Sequence, residues 1–394
     1  MSAGFEDFTR AVTRGATRDA PAARSIERFA VLGGGPDARL LAALCLAEGA
    51  DVTLFSAYGA ELSLLTQSSG IGIRGDGPVG TYQVNRDGPS VQTTAELDAA
   101  VRDAQVIFLT GPVHKQRTYA MVLADHLSDG QVLVLAPGRS LGAVEAAWML
   151  RIGGCRADVT LVEILGLPYW FSAEGAGLTL STAAPMAAAT LPRGRNNILE
   201  ALNRFLPNLH PVGSVLASGF RDLSAAVEIP ALTLGGQGMG NGGPDVPMGG
   251  VPLEANQTFA SLIGTDQIAV IEGLAEERRQ VAAAFGVRNL PETSDWIATF
   301  AGAERGSGSR PVPDRQAARH LMRDGVLGSL VPLVSAARLA GQPVPLTESL
   351  ITMTDRILGA DVAAAGRRLE TIGITAGDVD QARRIFDTIA TGAS

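Results

Sequence analysis

A chain of 394 residues in which 46% are hydrophobic and 18% charged is long and apolar enough to bury two cores. Its net charge of −8 disfavours nucleic acid and anionic membrane surfaces as partners. Two cysteines, Cys45 and Cys155, are too few for a disulfide framework or a zinc cage, and the first 25 residues hold no apolar stretch of signal-peptide length. A cytoplasmic protein with reduced thiols and no metal is the expectation.

Residues 1–25 read as an N-terminal arm, with Phe5, Phe8 and Val12 at helical spacing. A short apolar strand near 29–33 then runs into Gly33-Gly34-Gly35-Pro36-Asp37-Ala38, and an Ala/Leu-rich helix leaves it near 36–48. This is the dinucleotide-binding fingerprint in its form ending in Ala. Gly33 permits the tight turn, Gly35 lets backbone approach a pyrophosphate, and Ala38 allows helix to pack closely on strand. Pro36 suits the first helical position, and the free N–H groups behind it face the phosphates.

The second strand, Asp51 to Ser56, completes the strand-helix-strand unit but ends in Phe55-Ser56-Ala57-Tyr58, without the acid that binds the adenosine ribose of NAD. A Ser there can bond a hydroxyl or a phosphate, so NADP is favoured over NAD and Ser56 becomes a cofactor-binding candidate. A glycine-punctuated stretch at 69–89 suggests a small hairpin. Helix 94–102 leads into Val106-Ile-Phe-Leu-Thr110, a strand apolar on both faces, and then Gly111-Pro112-Val113-His114. Carboxyl ends of strands in such a sheet face the ligand, which makes Thr110 and Pro112 cofactor candidates and His114 either a site residue or a helix cap. Two further buried strands end in Ala136-Pro137-Gly138-Arg139 and in Glu163. Glu163, followed by Leu167-Pro168-Tyr169-Trp170, is either a substrate contact or a structural carboxylate.

Beyond Leu191-Pro192 strand-like runs fade and helical ones take over at 195–206, 255–285, 315–340, 345–357 and 377–390. The division is a Rossmann domain at 26–190 with a doubly wound, mainly parallel sheet, and an all-α domain at 191–394. Between 235 and 250 eight of sixteen residues are Gly, which suggests a mobile loop over the cleft or a plain connector.

In their order these motifs resemble the opine dehydrogenases of the octopine and nopaline type. The resemblance covers about residues 28–375 and rests on the fingerprint, Gly-Pro-x-His at 111–114, Pro137-Gly138-Arg139, Glu163 with Leu167-Pro168-Tyr169, Arg319-His-Leu-Met-Arg-Asp324, and Gly366-Arg367 before Leu369-Glu370 and Gly373-Ile374. It implies a substrate cleft between the two domains, an amine or amino acid and a 2-oxo acid as substrates, reduction of their imine by a nicotinamide cofactor, and room for a homodimer. It also implies a His-Pro pair working as acid/base with the Asp that closes Arg-x-x-x-x-Asp, the Arg binding a substrate carboxylate. Arg319 and Asp324 match the second element.

The first element does not match: Ile229-Pro230 stands where His-Pro would be, and Glu228 is the nearest side chain able to carry a proton. A pairing of Glu228 with Asp324 is one expectation, and an ion pair between Glu228 and an Arg is the other. C=N reduction leads the functional readings. Reduction of a 2-oxo acid C=O bond and a non-catalytic cofactor-binding sensor follow.

Overall fold

The computed structural model describes residues 25–68, 70–234 and 257–391; most of the arm and the 235–250 stretch lie outside the described residues. The chain begins β1 (Arg28–Leu32), α1 (Pro36–Ala47), β2 (Asp51–Phe55), α2 (Gly59–Gln67), β3 (Ile71–Gly75), β4 (Gly80–Tyr82), β5 (Val91–Thr94) and α3 (Leu97–Val101). It continues through β6 (Val106–Leu109), α4 (Val113–Val122), β7 (Val132–Leu135), α5 (Gly142–Ile152) and β8 (Thr160–Ile164). Then come β9 (Tyr169–Glu174), β10 (Gly177–Thr182), β11 (Met186–Leu191), α6 (Asn196–Leu202) and β12 (Leu209–Pro211).

An eight-stranded sheet in the order β12-β11-β8-β7-β6-β1-β2-β5 forms the framework. Its six strands from β8 to β5 run parallel, β1 pairing with β2 on one side and β6 on the other, while β11 is antiparallel to β8. Every residue of β6 and β7 is buried, as continuous apolar runs covered on both faces require. The strand order reverses between β1 and β6, so a crevice opens there at the strands' carboxyl ends.

The hairpin expected at 69–89 forms as β3 and β4, paired Ile71 to Tyr82. It joins β9 and β10 in a second sheet, β4-β3-β10-β9, that the sequence did not announce. This sheet explains why α1 is apolar nearly all round. Ala38 to Cys45 are all buried, and the helix shares one core with Leu54 of the large sheet and Ile71, Ile73, Leu178 and Leu180 of the small one.

The large sheet does not stop at 190. β11 and β12, with α6 between them, extend it to Pro211, and the uninterrupted helical part begins at Val215. They are α7 (Val215–Arg221), α8 (Ser224–Leu234), α9 (Thr265–Ala284), α10 (Thr293–Ala301), α11 (Arg315–Gly325), α12 (Val331–Ala340), α13 (Pro345–Leu358) and α14 (Val379–Thr391). A π turn, Val326–Leu330, links α11 to α12. α8 and α11 approach closely because Gly325 has no side chain; a Cβ there would lie 2.9 Å from Ala225 Cβ. None of the described helices is long and apolar enough to cross a membrane.

Candidate functional site

The crevice at the β1/β6 reversal is built for a phosphate-bearing ligand. Gly33 has φ 131° and lies against Thr110 Oγ1, so a side chain there would be strained and would collide. Thr110 is fixed in turn, its hydroxyl donating to Leu32 O at 2.9 Å. Gly35 is the N-cap of α1, followed by Pro36, and no side chain caps this end of the helix. A Cβ built on Gly35 would meet nothing within 4 Å. Open space in front of uncapped amides fits a pyrophosphate, and the residues present therefore suit a dinucleotide. Gly35→Val should cut cofactor affinity by about 100-fold or more while the fold survives, since the branched side chain fills the space where pyrophosphate approaches. Dissociation constants from fluorescence titration, with circular dichroism as the folding control, check this; unchanged affinity would move the cofactor site elsewhere.

The opposite wall comes from α8, α11 and the π turn. Gly328 in that turn packs against the Rossmann loops, a Cβ there falling 2.8 Å from Val113 Cγ2 and 3.0 Å from Arg139 Cβ, and its carbonyl accepts Ser140 N–H at 2.9 Å. Asp324, one turn earlier, is thereby brought to the Val113 N–H at the start of α4, beside Arg139. Its Oδ1 is buried without a hydrogen-bond partner. Burial pushes its pKa up to about 6, with the charges of Asp37 and Glu228 acting in the same direction and Arg139 and the Val113 amide opposing them. Asp37, in the first turn of α1, is likewise pushed up to about 6 by burial, with Arg139 and Arg39 opposing. Ile229 is fully buried, its Cδ1 3.5 Å from the position of a Cβ on Gly325. Ile229 thus adds hydrocarbon to the contact of α8 with α11, at the position where the resemblance implies a His.

No protein-family model matches the chain. The opine dehydrogenase of Arthrobacter sp. (strain 1C) is 26% identical over 361 residues, spanning 88% of this chain and 95% of that protein. The resemblance to the opine dehydrogenases holds over nearly the whole chain. Among solved structures, octopine dehydrogenase with NADH and pyruvate superposes with a TM-score of 0.66 at 18% identity, covering 93% of this chain and 98% of that one. Yersinopine dehydrogenase with NADP+ gives 0.57 at 14% identity, covering 92% and 98%. Both likenesses concern the fold.

Within the opine dehydrogenase pattern, several candidate residues take places other than those expected. Glu228 is buried between two guanidinium groups, Arg310 Nη2 at 2.9 Å from Oε1 and Arg139 Nη1 at 3.4 Å from Oε2. It is a counter-ion with both oxygens engaged, which replaces the pairing with Asp324 by the alternative ion pair. Arg310, from the Gly/Ser-rich segment before α11, lies between the rings of Trp170 at 4.6 Å and Phe259 at 4.2 Å. Neither Arg139 nor Arg310 was signalled as a site residue by motif spacing, although Arg139 follows the Pro137-Gly138 turn and has φ 56°.

Arg319 is five residues from Asp324, about 140° round a helix from it. Its guanidinium donates to Ile357 O at 3.2 Å and Leu358 O at 2.9 Å, closing the C-terminal end of α13 instead of facing Asp324. It lines a surface cavity of about 360 Å³ with Arg315, His320 and Arg323. His114 is exposed in the first turn of α4. Burial of part of its ring, and the positive charges of Arg323, Lys115, Arg117 and His320, push its pKa down. Glu163 is fully buried beneath the Gly138 turn and accepts the Ala143 N–H of α5 at 3.1 Å, so it serves as a helix-terminus carboxylate. Burial pushes it up to about 7, opposed by that amide and by Arg367.

Two motifs of the resemblance meet at Arg367, which is completely buried and ion-paired to Glu145 at 2.8 Å. It donates to Gly138 O at 3.2 Å and to Ser140 O, tying the C-terminal segment to the Pro137-Gly138-Arg139 loop. Cys45 and Cys155 are free thiols, and the described residues contain no His/Cys/Asp/Glu group able to hold a metal ion.

Proposed function

We propose that this protein is an opine-dehydrogenase-like oxidoreductase that uses a nicotinamide cofactor to reduce the C=N bond formed between an amine or amino acid and a 2-oxo acid. Asp324 carries the reading. It has an unpartnered buried oxygen and a pKa of about 6, and it feels the charge of Asp37 in the first turn of the fingerprint helix. A carboxyl kept near half-protonation by its surroundings is suited to proton transfer close to neutral pH.

The nicotinamide, when bound, supplies the hydride. Reduction of C=N then requires one proton at nitrogen, and Asp324 donates it. The Val113 amide and Arg139 hold the carboxyl in place and oppose the rise in its pKa that burial causes. Glu228 and Arg310 fix Arg139 and the Trp170 ring on the far side of the cleft. Because Ile229 offers no basic group, the single carboxyl is reprotonated from solvent or from the incoming substrate ammonium. The reading includes a cytoplasmic setting, in keeping with two free thiols, and homodimer assembly, which light scattering checks.

Cofactor oxidation followed by absorbance tests the proposal with an amine plus a 2-oxo acid, with the oxo acid alone, and with neither. Turnover in the first mixture only is the expected result. Equal turnover with the oxo acid alone would make the protein a C=O reductase, and cofactor binding without turnover in any mixture would make it a sensor.

A further inference from the structure

The end of β2 does hold an acid, supplied from the next helix. Ser56 is completely buried, and its hydroxyl donates to Glu61 Oε2 at 2.5 Å while accepting the Tyr58 N–H at 3.1 Å. The hydroxyl is fully occupied by protein groups and is not offered to a phosphate. Glu61, in the first turn of α2, is bent back over the fingerprint. A Cβ on Gly34 would lie 2.5 Å from both Glu61 Cβ and Glu61 Oε2, so the glycine at 34 is what admits this carboxylate. Among the described residues Ser56 is the only hydrogen-bond partner of its carboxylate, which is half-exposed.

Two cations lie near enough to matter. Arg39 is 4% exposed and donates to Gly175 O in the turn between β9 and β10, with Glu61 and Asp37 as the carboxylates whose charges act on it. Lys115 is held over the face of Tyr58, its Nζ 4.3 Å from the ring centroid. Neither forms an ion pair with Glu61 among the described residues.

We infer that Glu61, braced by Ser56, is the residue that reads the adenosine ribose, and that it selects NADH over NADPH. The inference rests on the dinucleotide site of the proposed function. A carboxylate beside the glycine loop accepts hydrogen bonds from a ribose diol and repels a 2′-phosphate, the task normally done by an acid at the end of the second strand. Here that strand ends in Ser, and the acid comes from five residues later. The preference for NADP drawn from Ser56 alone is thereby reversed. Of the two solved folds compared above, one carries NADH and the other NADP+, so their likeness does not decide between the two.

Titration of the purified protein with NADH and with NADPH, read by fluorescence or calorimetry without substrate, tests this. The wild type should bind NADH at least about tenfold more tightly, the scale of charge-assisted hydrogen bonds gained and a like charge avoided. Glu61→Gln should narrow that ratio by about tenfold or more, through weaker NADH and tighter NADPH binding. Ser56→Ala, which removes the brace but keeps the charge, should weaken NADH with a smaller change in the ratio. Equal or tighter NADPH binding by the wild type, or an unmoved ratio in Glu61→Gln, would overturn the assignment. Loss of NADPH affinity in Lys115→Met beside an NADPH-preferring wild type would give the 2′-position to Lys115. Failure of the wild type to bind either cofactor would remove the dinucleotide site itself, and is thus distinct from a failure of Glu61 alone.

Discussion

Asp324→Asn lowers turnover by about 10²-fold or more while cofactor affinity stays close to that of the wild type, the usual scale for removing a proton donor. The expectation follows from where the carboxyl sits: Asn keeps its size and can still accept the Val113 N–H, but it has no proton to deliver to nitrogen. The pH profile separates this from a packing defect. Reduction needs the acid form, and burial has pushed Asp324 up to about 6. In the wild type the rate is therefore level below that pH and falls as pH rises through it, whereas the Asn variant is slow and lacks that limb. Initial rates between pH 5 and 8, with saturation by cofactor confirmed at each point, give both readings. Glu228→Gln is the companion measurement. Its carboxylate is engaged by Arg310 at 2.9 Å and by Arg139 at 3.4 Å, so its loss should lower stability and, since its charge helps raise the pKa of Asp324, move the limb to lower pH without abolishing it. An Asp324→Asn enzyme with the wild-type rate would show that the proton comes from elsewhere.

Arg367→Met is expected to cost about 3–5 kcal/mol of stability, the range for breaking a buried ion pair by removing one partner. Arg367 is inaccessible to solvent, its Nη2 lies 2.8 Å from Glu145 Oε2, and it donates to the carbonyls of Gly138 and Ser140. The second bond of Glu145, to Arg117 at 2.7 Å, keeps the cost toward the lower end. Those carbonyls belong to the loop that presents Arg139, so the same change should also raise KM more than it lowers kcat. Urea denaturation curves read the stability. Adding Glu145→Leu to Arg367→Met should recover part of the loss, since the buried carboxylate that Arg117 alone would have to compensate goes with it. A loss below about 1 kcal/mol in the single variant would mean that the ion pair contributes little to joining the two halves of the chain.

Local chemistry made the Rossmann half legible. The run Phe29 to Ala38 is a strand, a glycine turn and a helix start whose signals all lie within ten residues, and the helix indeed starts at Pro36. The fully buried strands β6 and β7 announced themselves as unbroken apolar runs. β9 and β10 did not, because Tyr169 to Thr182 alternate weakly and gain their order from pairing with β3, about a hundred residues away. α8 was hidden for another reason: Pro230 lies inside it, and burial on nearly every side leaves no amphipathic period to read.

The site divides in the same way. Asp324 lies beside Arg139 and the Val113 amide, and the position of Ile229 beside Gly325 makes the residue in the place of the family His a core residue. Arg319 misled because spacing in sequence does not give the face of a helix, and here the helix turns it toward the α13 carbonyls. Arg310 and Glu61 carry no motif. Each becomes a site candidate only through what the fold packs against it, Trp170 and Phe259 in one case and Ser56 and Gly34 in the other.

The bond that is reduced is the central claim, and mass spectrometry of a reaction run with cofactor deuterated at the transferred position tests it most directly. An amine and a 2-oxo acid supplied together should give a secondary amine that joins both carbon skeletons and carries one deuterium on the former carbonyl carbon. A deuterated 2-hydroxy acid with the amine left unconsumed would contradict it.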